Sequence, residues 1–428
     1  MIASRHVILV SLGTDGDIIP YLAVGVRLRD RGHRISLLGP EHFQSAAAKL
    51  GFDFHPFVTE EAYQDFLADK GMWHPVKAGG NIAKWGGKLL RGQYALLKSV
   101  LCEDSVMVAN PGALVARLAH EQFGIPIASL VLQPWLIQSS SAPPLMMPGL
   151  SLPRWAPPFV KKMYWGVINK FGDRLAGREL NRLRKEVGLG PMKNLFQWWF
   201  SPDLVIAMFP EWYGKAQPDW PRAVVNAGFY AMDGTTPLPS ATVEFCHAGV
   251  KPVLFTFGTG MTHAKEHFGR ALEVCSKLGK RVIFLTKYRE QLPDPLPQFA
   301  HHCSSAPFSE LFPLCELVVH HGGIGTTAKA LKAGVPQLLL PFAYDQFDNG
   351  SRVAELGAGG WLSQRHIRTA RFEVAIRACT EERIIANCAR IRDKHFPEDG
   401  ASRAVDLIEE QWARRSEKQK SAPKRTLA

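Results

Sequence analysis

No stretch of this chain is apolar over the roughly 18 residues that a membrane-spanning helix needs. The first apolar run, Val7–Leu12, passes into a Gly/Asp-rich turn and not into a small-residue cleavage site. The seven cysteines include no Cys-x-x-Cys pair, and an odd, scattered set excludes a disulfide scaffold and suits a reducing compartment. Neither a Gly-x-Ser-x-Gly elbow nor a Gly-x-x-x-x-Gly-Lys-Ser/Thr loop occurs, so hydrolase and P-loop readings lack their motif. Zinc-finger spacing and RNA-binding aromatic signatures are also missing, so no nucleic-acid partner is expected. Acidic residues are outnumbered, 39 against 51 Lys and Arg, a net charge of +12. That excess reads either as a solvated basic surface or as attraction to anionic substrates or an anionic membrane face. The expectation is a cytoplasmic protein, with at most a peripheral contact on the inner membrane face.

What is present is ordinary globular material. At 428 residues, 46% hydrophobic and 21% charged, the chain is long enough for two cores. His6–Leu12 has the composition of a buried parallel strand; Gly13–Asp17 reads as a tight loop; a helix is expected to begin near Pro20 and stop at Gly32; Arg34–Leu38 reads as the next strand. Further strands are expected at Ile127–Leu132, Val253–Phe257, Arg281–Thr286, Leu317–His320 and Val335–Pro341, with helical segments between them. Pro134 to Tyr164, rich in Pro, Ser, Met and Trp, reads as a long irregular loop with a function. The predicted architecture is α/β, two Rossmann-like doubly wound domains facing each other across a cleft. The expected boundaries are residues 1–222, a linker over 223–245, a second domain over 246–413, and a basic, disordered tail over 414–428.

The segment with most chemical content is His320-His321-Gly322-Gly323-Ile324-Gly325-Thr326-Thr327, between an apolar strand and an apolar helix. Glycines there let the backbone turn sharply and approach a ligand, and the helix start offers unpaired N–H groups suited to a diphosphate. A plain glycine turn with surface histidines is the alternative. At the end of the next strand stand Asp345 and Gln346, an acid and an amide suited to vicinal sugar hydroxyls.

The run from Ala306 to Asn349 resembles the donor-binding signature of the nucleotide-sugar-dependent glycosyltransferases of GT-B fold. Gly13–Pro20, Phe123-Gly124-Ile125-Pro126 and Asp219-Trp220-Pro221 extend the resemblance over nearly the whole chain, and fit the rhamnolipid-forming rhamnosyltransferase branch. The resemblance implies that His320, with Gly323, Gly325, Thr326 and Thr259, holds the donor diphosphate. It places Asp345 and Gln346 on the transferred sugar, and Ser305, Pro307 and Phe308 at the base. The family commonly has a stacking aromatic where Ser305 stands, which leaves uridine against thymidine open. It implies inverting transfer of a hexose, rhamnose or glucose, without cofactor or metal. The acceptor is an apolar hydroxyl compound: a hydroxy fatty acid giving a glycolipid, or alternatively a sterol, polyketide or carotenoid. A nucleotide-sugar epimerase and an inactive sugar-nucleotide-binding protein are the readings from other classes.

Transfer to an alcohol calls for a general base, and Asp17 is the candidate in the amino-terminal loop. The alternative is that Asp17 only caps the helix. Asp15 and Asp17 could also be read as a divalent-metal pair. Trp135, Met146 and Trp198, in two unusually apolar segments, are candidate acceptor contacts, with core packing as the alternative for Trp198.

Overall fold

The computed structural model describes residues 4–421 apart from 75–76, 148, 154, 233–236 and 397–398. The first half carries a parallel sheet of β1 (His6–Val10), β2 (Arg34–Pro40), β3 (Asp53–Val58), β4 (Ser105–Ala109), β5 (Ile127–Val131), β6 (Val205–Ala207) and β7 (Val224–Asn226), in the order β3-β2-β1-β4-β5-β6-β7. The second carries β8 (Val253–Thr256), β9 (Val282–Leu285), β10 (Ala300–Cys303), β11 (Leu317–His320), β12 (Gln337–Leu339) and β13 (Gly359–Trp361), in the order β10-β9-β8-β11-β12-β13. Every pairing is parallel.

The apolar runs read from the sequence become central strands for a simple reason. Alternate residues of a strand face opposite sides, and here both sides are covered. Val7 and Leu9 of β1 pack into one layer, Ile8 and Val10 into the other. Val253 and Phe255 of β8 face one layer, Leu254 the other. Continuous apolarity is the signature of such doubly covered strands. The edge strands β7 and β13 are three residues long and only partly buried, and had no such signature.

Several expectations are corrected. The first helix starts at Asp15, not near Pro20, and runs to Asp30 with Pro20 inside it. Pro20 lacks only the N–H that would have met the carbonyl of Gly16, and Gly16 is exposed, so that carbonyl is not sealed in the core. The irregular stretch after Pro134 ends sooner than Tyr164, because helix Pro158–Leu175 begins at a proline suited to a helix start. The linker is narrower than 223–245: β7 still belongs to the first sheet, and helix Ser240–His247 already packs on the second through Cys246. The expected tail from 414 is helical as far as Ser421, in helix Gly400–Ser421; residues 422–428 lie outside the described residues.

That last helix returns to the first half. Ala401, Ala404, Val405, Ile408 and Trp412 share a core with Val7, Leu9 and Leu28. Arg31 reaches Asp406 and Glu409 at 2.5 Å each, and His33 meets Glu409 at 3.0 Å. A second shared cluster joins the halves directly, with Phe209, Tyr213 and Phe229 packed against Ala328, Leu331 and Val353. The carboxyl ends of both sheets therefore meet along one cleft.

Candidate functional site

Gly13 follows β1 with φ +120°, and a Cβ on it would lie 2.2 Å from Asp17 Oδ2. This lets Asp17 fold back on the helix start. Its Oδ2 accepts from the Thr14 backbone N–H at 2.9 Å and the Thr14 hydroxyl at 3.2 Å. Asp17 is thus the third helical residue of a capping box whose N-cap is Thr14, while its Oδ1 carries no hydrogen bond among the described residues. Burial pushes its carboxyl up to about 6, against the two Thr14 hydrogen bonds, with a further upward push from Asp15. At pH 7 about ten carboxylates stand for each acid. Capping and a base's role are compatible, since they use different oxygens.

Across the cleft, β11 ends at His320. This ring is fully buried: its Nδ1 accepts from the Gly322 N–H at 3.1 Å, and its Nε2 meets the Gln337 side-chain oxygen at 2.9 Å. Accepting at Nδ1 fixes the proton on Nε2, and burial pulls the imidazolium pKa down to about 3. With both nitrogens engaged by the protein, His320 has nothing left for a diphosphate. The expected contact is corrected: His320 shapes the turn. The neighbouring His321 is the free ring. Its Nδ1 is buried without a hydrogen-bond partner among the described residues. A Cβ on Gly258 would meet the ring at 2.9 Å and one on Gly323 at 2.5 Å, so both glycines exist to admit this imidazole. Burial holds it neutral, with a pKa of about 4. The sequence signal for His321 was the strand's end: it is the first residue beyond the ladder.

Helix Ile324–Ala333 starts at Gly323, which supplies no side-chain cap, so its first N–H groups are left for a ligand. Thr327 bonds back to the Gly323 carbonyl at 3.0 Å, which leaves the Thr326 hydroxyl as the one of the pair without a hydrogen-bond partner among the described residues. Asp345 and Gln346 begin helix Gln346–Glu355. Burial pushes Asp345 up to about 7, and the charge of Asp17 pushes it further, against a hydrogen bond from Asn349. Two acids from different sheets therefore feel each other. The Gln346 side-chain oxygen accepts from the Phe342 and Ala343 N–H groups at 2.7 and 3.1 Å. Only its amide N–H donors remain for a sugar hydroxyl. Asn349 ties the arrangement together, donating to the Gly322 carbonyl at 2.8 Å and Asp345 at 2.7 Å and accepting from the Tyr213 hydroxyl at 2.8 Å.

The two walls touch. A Cβ on Gly260 would meet Thr14 at 3.1 Å and Trp73 at 3.0 Å. Pro20, Leu132 and Met208 close around Ile324, Gly325 and Ala328 below them. Tyr288 donates to the Thr259 carbonyl at 2.9 Å. Tyr344, held at φ +59°, donates to the Met72 carbonyl and stands edge-on to Trp73 at 6.0 Å.

Residues 7–140 match the model of the glycosyltransferase family 28 N-terminal domain, and residues 271–407 that of the erythromycin biosynthesis protein CIII-like C-terminal domain. The first half thus matches a glycosyltransferase domain, and the chain as a whole has the GT-B fold. Similar proteins include a sterol 3-beta-glucosyltransferase of Neosartorya fischeri, 28% identical over 95% of this chain but 29% of the relative. Another is a sterol 3-beta-glucosyltransferase of Arabidopsis thaliana, 27% identical over 94% of this chain and 67% of the relative. The chain thus spans less than a third of the fungal relative's length. Among solved structures, the calicheamicin glycosyltransferase CalG4 superposes with TM-score 0.71 at 18% identity, covering 99% of this chain and all of that one. The spinosyn rhamnosyltransferase SpnG complexed with thymidine diphosphate superposes at 0.67 and 19% identity, over 95% of this chain and 100% of that one. These likenesses show a GT-B fold. Both sequence relatives are sterol glucosyltransferases and not members of the rhamnolipid-forming branch that the motifs resembled.

In this GT-B chain the remaining expected residues divide. Trp135 lies in the short turn Pro134–Leu136 after β5, at the carboxyl edge facing the cleft, with its indole N–H buried and unpartnered among the described residues. Met146 follows Leu145, whose N–H donates to Asp348 of the second half at 2.8 Å. Trp198 is not with them. Its N–H donates to Glu121 at 2.8 Å, and Arg117 and Arg184 cover its ring at 5.4 and 5.2 Å. Glu121 sits late in helix Leu114–Phe123, at the end away from the cleft, so Trp198 is structural. Pro307 is buried, and the Phe308 ring is occupied by Phe312 at 4.5 Å and the Lys329 ammonium at 5.0 Å. Of the three base candidates only Ser305 stands exposed.

Among the described residues no three His, Cys, Asp or Glu are grouped to hold a metal ion, and no helix is long and apolar enough to cross a membrane.

Proposed function

We propose that this chain transfers a hexose from a nucleoside diphosphate sugar to the hydroxyl of a lipophilic alcohol, inverting the anomeric centre. The supporting observation is the junction of the two glycine loops. Gly260 lies against Thr14, which holds Asp17, while Gly258 of the same loop lies against His321. Base and phosphate anchor thus border one small space.

In this reading Asp17 takes the acceptor proton as the oxygen attacks the anomeric carbon. The bond to the diphosphate breaks, and its charge is met by His321 and the N–H groups of Gly325 and Thr326, donors already in place before the charge develops. Thr259 adds a hydroxyl, and Asp345 and the Gln346 amide hold the sugar. Asp15 leans toward His42 at 3.9 Å instead of joining Asp17, which favours a site without a resident metal.

The sterol glucosyltransferase relatives favour a sterol-like alcohol and glucose over a hydroxy fatty acid and rhamnose. Uridine and thymidine diphosphate glucose and rhamnose, each tested against a sterol and a 3-hydroxyacyl acceptor and read by mass spectrometry, decide this. A glycosylated sterol is expected. A glycolipid moves the acceptor to the hydroxy fatty acid reading. Sugar-nucleotide interconversion without acceptor marks an epimerase, and tight donor binding without turnover an inactive binder.

A further inference from the structure

Helix Pro158–Leu175 is inserted between β5 and β6, and its outer flank has no partner among the described residues. Phe159, Met163, Val167 and Phe171 recur every fourth residue and are 66, 67, 68 and 60% exposed. Trp155, just before the helix, is 84% exposed. The inner face is locked down: the Trp165 N–H donates to the Ser139 carbonyl at 2.9 Å, and Gln138 donates to Asn169 at 2.8 Å. The outer stripe is therefore not waiting to pack inward. A contiguous row of large apolar side chains on a surface marks an interaction site.

The surroundings specify the partner. Lys162, Lys170 and Arg174 are exposed on the same helix and make no ion pair among the described residues. The one acid there, Asp173, is used by the backbone N–H groups of Asn194 and Leu195 at 3.0 and 2.8 Å. Beside the helix runs an open groove of about 520 Å³ lined by Lys84, Lys88, Arg91, Arg174 and Arg178, with Gly80 and Gly87 leaving room. Its only acid, Glu179, is engaged by Arg182 and Arg91. An apolar stripe flanked by cations is the pattern of a helix lying in a bilayer interface and held by anionic headgroups.

We propose that the outer flank of helix Pro158–Leu175 and the adjoining basic groove dock this protein on an anionic lipid bilayer. The inner face of this helix holds the segment from Gln138 that reaches Asp348 through Leu145, so docking brings the cleft's acceptor side to the membrane. That consequence rests on the transferase reading; docking itself does not.

Co-sedimentation of the full chain tests it, with vesicles of phosphatidylcholine alone and of phosphatidylcholine and phosphatidylglycerol in equal parts. Binding is expected only to the mixed vesicles and is expected to fall with salt. Phe159→Ser/Met163→Ser should lower vesicle affinity by about tenfold or more, with an unchanged melting temperature and circular dichroism spectrum. Lys84→Glu/Lys88→Glu should abolish the phosphatidylglycerol dependence. Wild-type protein that stays in the supernatant overturns the proposal. So does undiminished binding by either variant, or a wild-type dimer that Phe159→Ser/Met163→Ser makes monomeric without affecting vesicles. Transfer to a short-chain, water-soluble acceptor should be equal in all three proteins; absence of transfer by the wild type, with its vesicle binding intact, would count against the transferase reading alone.

Discussion

Asp17→Asn should make the protein more stable and nearly inactive at once. The carboxyl ordinarily titrates near 3.8 and here is pushed up to about 6. A carboxyl raised on folding favours the protonated folded form. Its contribution is fully present below the unfolded pKa and is lost as pH rises through the folded one. At pH 7 the ionised carboxylate therefore costs on the order of 1–3 kcal/mol, at about 1.4 kcal/mol for each tenfold change in its ionisation equilibrium. Asparagine keeps an oxygen for the Thr14 N–H and hydroxyl and removes the charge. Melting at pH 7 should rise by a few degrees, and the gain over wild type should vanish toward pH 4. Turnover should fall by roughly 10²–10⁴, the usual worth of a positioned base, while donor affinity persists. In the wild type, kcat/KM should fall tenfold per pH unit below about 6, and this limb should be absent from the variant's residual activity. Thermal melts across pH, donor calorimetry and pH-rate profiles measure all of it. Near-normal turnover would refute the base assignment. A lowered melting temperature would refute the burial argument, leaving Asp17 as a cap whose charge the helix start needs.

The neighbouring histidines should separate cleanly. His321→Ala should weaken donor binding by roughly ten- to a hundredfold, the loss of a hydrogen bond to a charged group, with little change in melting. His320→Ala should destabilise the second half by about 3 kcal/mol or more through a cavity and an orphaned Gly322 N–H. Equal donor-binding losses at matched stability would return the phosphate contact to His320. Gly323→Ala should act through the ring it displaces, so donor calorimetry on Gly323→Ala/His321→Ala should give the His321→Ala affinity and not the summed losses. Trp198→Phe should cost about 1.5–3 kcal/mol by removing a hydrogen bond to ionised Glu121, read in denaturant melts. An altered acceptor KM at constant stability would put Trp198 back among the acceptor contacts.

What could be read without coordinates was local. Val7–Val10, Ile127–Val131, Val253–Thr256 and Leu317–His320 announced themselves because a strand covered on both faces must be apolar throughout. The short edges β7 and β13 carry no such constraint and passed unseen. The glycine turn and the two acids were also legible, because tight turns and helix starts restrict residue choice within a few positions. Which histidine keeps a free ring nitrogen was not. That depends on Gln337 taking up one ring and on Gly258, from another strand's end, making room for the next. Nor could any periodicity announce that Leu145 would bond Asp348, 203 residues on, or that the last helix would return to pair with Arg31 across 375 residues. Contacts at such separations are chosen by how two finished layers pack, so amino-acid order alone supplied the cleft's parts and tertiary packing decided which of them meet.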